Sequence, residues 1–168
     1  MILTNGTIKA FTYKAGLLSA VAHDLRLSLR RFEVRVEGDS LSARFWPSSF
    51  EVDGAIENGE LAVDRLGEKD RRDIYSNLTA KVLLVESHPE IRYRGRIEES
   101  PAEVRLRGQL EMLGESVDTP LTLLPSGGRL VGEVTIIPTQ WGIKPFSAAF
   151  GTIKLQDRVR LTFDLPRA

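Results

Sequence analysis

The C-terminal stretch carries the pattern that most limits what this chain can become. Ile153, Leu155, Val159, Leu161, Phe163 and Leu165 fall on one parity, and Lys154, Gln156, Arg158, Arg160, Thr162 and Asp164 on the other. A period of two puts all the apolar residues on one face of a strand, whereas a helix would scatter them around its cylinder. Asp157 interrupts the apolar parity and marks a bend or an open end. A half-wet strand of this kind cannot stand alone. It needs neighbours that share and bury its apolar face.

The same alternation recurs along the chain. Leu25, Leu27 and Leu29 alternate with Arg26, Ser28 and Arg30, and Phe32, Val34 and Val36 then alternate on the other parity. The Arg30-Arg31 doublet at the parity change predicts a bulge or bend. Ile91, Tyr93 and Ile97 form another set, as do Val104, Leu106, Leu110 and Met112, with shorter runs at Ile8-Lys9-Ala10-Phe11 and Glu133 to Ile136. Turn signals such as Glu37-Gly38-Asp39, Asn58-Gly59, Leu113-Gly114 and Ser126-Gly127-Gly128 separate them at the short intervals of a hairpin meander. These runs predict about eight or nine antiparallel strands, arranged as a sandwich or a closed barrel. One segment differs: between Glu68 and Val85 the apolar residues Ile74, Leu78, Val82 and Val85 have helical spacing. It predicts one amphipathic helix laid across the sheet, closing one end and stopping before His88-Pro89.

Composition narrows function. At 168 residues with 42% hydrophobic and 27% charged residues, the chain is expected to be one domain over 1–168 and soluble. Lys+Arg and Asp+Glu both number 23, so there is no cationic surplus to hold nucleic acid. The absence of cysteine removes disulfides and thiolate chemistry. The N-terminus shows no signal peptide and no run spans a membrane, so the expected location is cytoplasmic.

Catalytic groups are sparse. The two histidines are His23 and His88. His23 and Asp24 are strand neighbours and point to opposite faces, which prevents their acting as a unit. His88 precedes Pro89 where a helix should end, a capping position. No metal-ligand spacing and no phosphate-cradling glycine loop occurs, and no cofactor is expected. The aromatic residues are more informative. Trp46, Trp141, Phe50, Phe146 and Phe150 lie near strand ends or loops, as cavity mouth or as plain core. Lys144 lies beside them and could meet an anionic head group. Arg71 and Arg72 form another candidate anion site, with a solvated helix face as the plainer reading.

Several segments together resemble the YceI-like family. They are Gly16-Leu17-Leu18-Ser19-Ala20-Val21-Ala22-His23-Asp24-Leu25; Asp64-Arg65 and Arg72-Asp73-Ile74; His88-Pro89-Glu90-Ile91-Arg92-Tyr93; Arg107-Gly108-Gln109-Leu110-Glu111-Met112-Leu113-Gly114; and Trp141-Gly142-Ile143. The order and spacing of these segments, across nearly the whole chain, carry the resemblance. Trp141 replaces a usual Phe, and Gln140 stands where an acid is common. The resemblance implies a mainly β, antiparallel, lipocalin-like barrel of about eight strands with one amphipathic helix across it. It implies non-enzymatic binding or carrying of an isoprenoid-type lipid, a polyprenyl chain or an isoprenoid quinone, in the barrel interior. Many members of the family are exported.

The expected ligand-lining residues are Phe11, His23, Leu25, Leu27, Trp46, Phe50, Tyr93, Leu106, Leu110, Trp141, Lys144, Phe146 and Phe163. Two other readings stand beside this one: a small barrel enzyme using His23, Asp24 and Lys144, and a structural module with a filled core. The expected partner is an apolar lipid, with transient membrane contact and a monomeric or homodimeric state.

Overall fold

The computed structural model describes residues 1–15, 23–148 and 153–167. The early segment 16–22 and Phe150 lie outside the described residues. Fourteen strands form one antiparallel sheet: β1 (Ile2–Leu3), β2 (Thr7–Ala15), β3 (Asp24–Leu29), β4 (Phe32–Glu37), β5 (Ser40–Phe45), β6 (Phe50–Glu57), β7 (Glu60–Ala62), β8 (Ile91–Glu99), β9 (Val104–Met112), β10 (Glu115–Asp118), β11 (Leu121–Ser126), β12 (Arg129–Ile136), β13 (Ser147–Ala148) and β14 (Ile153–Pro166). The hydrogen-bonded order is β1-β4-β5-β8-β9-β11-β12-β14-β2-β3-β6-β7, with β10 paired to β9 and β13 to β14.

Two expectations are thereby corrected. The sheet has fourteen strands among the described residues instead of about eight, and its ladder is open, ending at β1 and β7. The count rises because bends divide long extended runs, and because strands of two to four residues, such as β1, β7, β10 and β13, are too short to show alternation. The Arg30-Arg31 parity change is one of these bends, where β3 turns into β4. A 3₁₀ turn at Pro47–Ser49 bends β5 into β6 alongside it. The two corners are tied: the Arg30 N–H donates to the Ser49 carbonyl at 3.2 Å, and the Trp46 N–H to the Arg31 carbonyl at 3.2 Å. β3 and β4 lie far apart in the ladder yet are one bent run of chain. The open sheet is therefore rolled until its inner faces surround a single space.

The helical segment lies against that space. α1 (Glu68–Ser76) continues as a π-helical stretch at Asn77–Val82. The winding ends earlier than the Val85 expected, because Leu84 takes a positive φ of 48°. Tyr75 pins the helix to the β5–β6 corner by donating to the Ser48 carbonyl at 2.8 Å. Arg71 is not an anion site. Its guanidinium donates to the carbonyls of Leu66, Val52 and Val63 at 3.4, 3.2 and 3.0 Å, and so ties the loop before the helix to β6.

On the opposite wall β8 and β9 place Gly95 against Gly108. A Cβ on Gly108 would come within 2.7 Å of the Tyr93 ring and 2.3 Å of the Arg94 carbonyl oxygen. The missing side chain is the notch into which the Tyr93 ring folds. Its hydroxyl donates to the Thr119 carbonyl at 3.0 Å.

Candidate functional site: an apolar interior cavity

The rolled sheet encloses a cavity of about 770 Å³. That lies within the usual range for ligand pockets, and it corrects the filled-core reading. Inward parities of β2, β3, β8, β9, β12 and β14 supply the wall, and the helical segment adds Ile74, Leu78 and Leu83. Between its two ends the wall is almost entirely aliphatic and aromatic.

Ten of the thirteen expected lining residues lie on this wall: His23, Leu25, Leu27, Phe50, Tyr93, Leu106, Leu110, Lys144, Phe146 and Phe163. Three do not. Phe11 is on the outward parity of β2, where the Arg160 guanidinium covers its ring at 4.1 Å. Trp46 is also outside, between Arg31 at 4.2 Å and Arg44 at 5.0 Å from its ring centre. Trp141 is 2% exposed and packs into the core behind the wall, with its indole N–H donating to the Leu110 carbonyl at 2.8 Å. An aromatic ring on a sheet is stabilised equally well by a lipophilic interior or by an arginine laid over it, so residue type alone does not give its side.

Sequence reasoning missed Ile8, Ala10, Ala43 and the helical residues. Ile8 and Ala10 share a parity opposite to that of Phe11, and this alternation is the signal that places them on the wall. Ala10 and Ala43 are 6% and 4% exposed, and as alanines they leave interior volume unfilled.

One end of the cavity is polar. His23, Asp70, Asp73, Asn77, Lys144, Gln156 and Arg158 reach it from the residue before β3, the helical segment, the loop before β13 and the start of β14. Several of these charges are already engaged. Asp73 accepts from Lys69 at 2.7 Å, Asp70 from the Gly67 N–H at 3.2 Å, and Arg158 stacks 3.9 Å over the Tyr13 ring. Asp24 accepts the Lys14 N–H at 2.8 Å, and the cavity wall includes His23 but not Asp24. Asp157, the break in parity, sits where the β14–β2 register shifts between Leu155 and Val159. There it accepts from the Thr139 N–H at 3.1 Å and from the Thr139 hydroxyl, fixing the 3₁₀ turn at Pro138–Trp141.

Burial also marks the wall electrostatically. Tyr93 is 7% exposed, and the loss of water around it pushes its phenol up to about 12. It is a neutral donor at any ordinary pH.

Solved structures share this architecture at low sequence identity. BcnA from Burkholderia cenocepacia superposes with a TM-score of 0.63 at 15% identity, over 97% of this chain and 96% of its own. A polyisoprenoid binding domain from Saccharophagus degradans gives 0.61 at 8% identity, covering 97% and 93%. The YceI protein of Campylobacter jejuni gives 0.60 at 12% identity, covering 83% and 81%. The chain has the YceI-like fold. No family sequence model matches it, and no curated protein matches it in sequence. The YceI-like fold here is thus carried by parity, corners and cavity at identities of 8 to 15%. Among the described residues no helix is long and apolar enough to cross a membrane.

Proposed function

We propose that this protein binds one slender apolar chain of the isoprenoid type in the interior of its sheet and shields it from water without transforming it. The observation that carries this reading is the cavity of about 770 Å³ with an apolar wall and polar groups gathered at an end. The polyisoprenoid binding domain with the same fold supports it. Each five-carbon unit moved from water into such a wall contributes roughly 4 kcal/mol at most, at ~0.8 kcal/mol per carbon. An exposed head-group ion pair contributes only ~0–1 kcal/mol. The tail therefore sets affinity, and the polar end tunes the choice of head group.

The test is equilibrium binding and native mass spectrometry of the purified protein against isoprenoid quinones, prenyl phosphates and straight-chain lipids. A one-to-one complex with isoprenoid chains is expected. Ala10→Phe narrows the cavity without adding charge, and should weaken that complex while keeping its fold by circular dichroism. A protein that takes up none of these lipids overturns the reading, as does an Ala10→Phe variant that is folded and binds as well as the parent.

A further inference from the structure

The cavity has a second end, remote from the polar one. Leu165 and Pro166 of β14, Ile97 of β8, Val104 of β9 and Leu41 of β5 line the approach to it. The last wall groups there are Met1, Gly38, Glu99 and Arg167. Arg167 donates to Glu99 at 2.9 Å, and their side chains are 35% and 58% exposed. The cavity wall thus reaches side chains that are themselves open to solvent at this end. Glu99 ends β8 and Arg167 follows β14, with β9, β11 and β12 between those strands in the ladder. The pair therefore bridges across the opening and does not join neighbouring strands. Met1 lies on the Gly38 side, where it exchanges backbone hydrogen bonds with Val36 at 2.9 and 3.0 Å.

We infer that this end is a second mouth, an exit through which the far end of a long prenyl chain leaves the protein between Arg167 and Glu99. The inference rests on the proposed binding of isoprenoid chains. Length supports it. The nine residues of β8 climb roughly 20 Å along the cavity axis at ~3.3 Å per residue and a tilt of about 40°. An extended chain advances about 1.2 Å per bond, from the ~3.6 Å that three backbone bonds span in an extended peptide, so one isoprene unit covers about 5 Å. About four units fill the straight path, and longer chains must coil inside or leave. The ion pair across the mouth is exposed, a weak contact that an emerging apolar tail can part. The ligand class is then prenyl chains without an upper limit on length, held by their first units.

A series of isoprenoid quinones with one head group and two to ten isoprene units tests this. Affinity should rise until the cavity is filled and then stay level within about threefold. A quinone carrying a photoreactive group at the tail terminus should crosslink, for the longer chains, to peptides containing Glu99 or Arg167. Ile97→Trp adds bulk to the wall at this end, and should weaken long chains by tenfold or more while leaving two- and three-unit chains unchanged. A fall of tenfold or more in parent affinity beyond the filling length overturns the second mouth, as do crosslinks confined to buried wall residues or a folded Ile97→Trp variant indifferent to length. Those outcomes leave the binding function standing, since short chains still bind. Failure of every chain length defeats the binding function itself.

Discussion

Tyr93 and Trp46 are aromatic residues on adjoining parts of the sheet, and they occupy opposite sides of it. Tyr93 stands on β8 opposite Ala43 of β5, faces inward into the notch left by Gly95 and Gly108, and is fixed by the Thr119 carbonyl. Trp46 follows the end of β5 and lies outside between Arg31 and Arg44. The interior aromatic is held by shape and by one buried hydrogen bond. The exterior one is held by cations that remain in water. The first arrangement leaves little tolerance for change and borders the cavity, while the second is a local surface contact. A large ring in an alternating sequence therefore says that a strand is present, and its parity says which side it serves.

The largest effect that would sharpen this contrast is expected at the notch. Gly108→Val places a Cβ within 2.3 Å of the Arg94 carbonyl oxygen and 2.7 Å of the Tyr93 ring, and should cost more than about 3 kcal/mol. Urea denaturation of the variant would show a collapsed midpoint or no folded baseline. A near-parental midpoint would mean that Tyr93 does not need the notch.

Next is the pH dependence carried by Tyr93. Its folded pKa is raised to about 12 from 10.0 by burial, so the neutral phenol stabilises the fold. That contribution is complete below pH 10. It disappears as pH rises through the folded value, for a loss of about 3 kcal/mol. Unfolding free energies of the parent should fall between pH 10 and 12 more steeply than those of Tyr93→Phe. The variant itself should lose about 1–2 kcal/mol at neutral pH, because the buried Thr119 carbonyl is left without its donor.

On the outer face, Trp46→Ala should cost only about 1 kcal/mol, and it should leave lipid capacity untouched, as measured by native mass spectrometry. Loss of binding in a folded Trp46→Ala protein would break the division between inner and outer aromatics. The smallest change has the opposite sign. Thr12 is on the cavity wall, but its hydroxyl oxygen is buried without a hydrogen-bond partner, the one such side-chain atom among the described residues. Thr12→Val should therefore stabilise the protein by up to about 1 kcal/mol in thermal unfolding.

Much of the architecture was legible because parity is a local property. The apolar faces of β3, β8, β9 and β14 were readable residue by residue, and Leu25, Leu27, Leu106, Leu110 and Phe163 do lie on the wall. The Arg30-Arg31 doublet marked the corner correctly. Phe11 is the larger residue, but the inward face of β2 belongs to Ala10 beside it, because parity and not size sets the direction of a strand side chain. Trp141 was misplaced for a different reason. It sits in a 3₁₀ turn, where period-two reasoning has no force, and its position depends on the Leu110 carbonyl it reaches across the fold. The helix was found by its spacing, yet its early end at Leu84 has no sequence signature of the usual glycine kind.

The amino-acid sequence by itself determined that this chain forms antiparallel strands with one apolar face, turned at glycine-rich loops and crossed by one helix. It did so because side-chain direction in a strand and on a helix follows from backbone geometry alone. Only the tertiary structure decided that the sheet stays open in its hydrogen bonding yet rolls around about 770 Å³ of space. Only there do Glu99 and Arg167, 68 positions apart, meet across its far end. Closure, volume and rim are properties of how far apart faces come to rest, and no local period encodes a distance between strands that never pair.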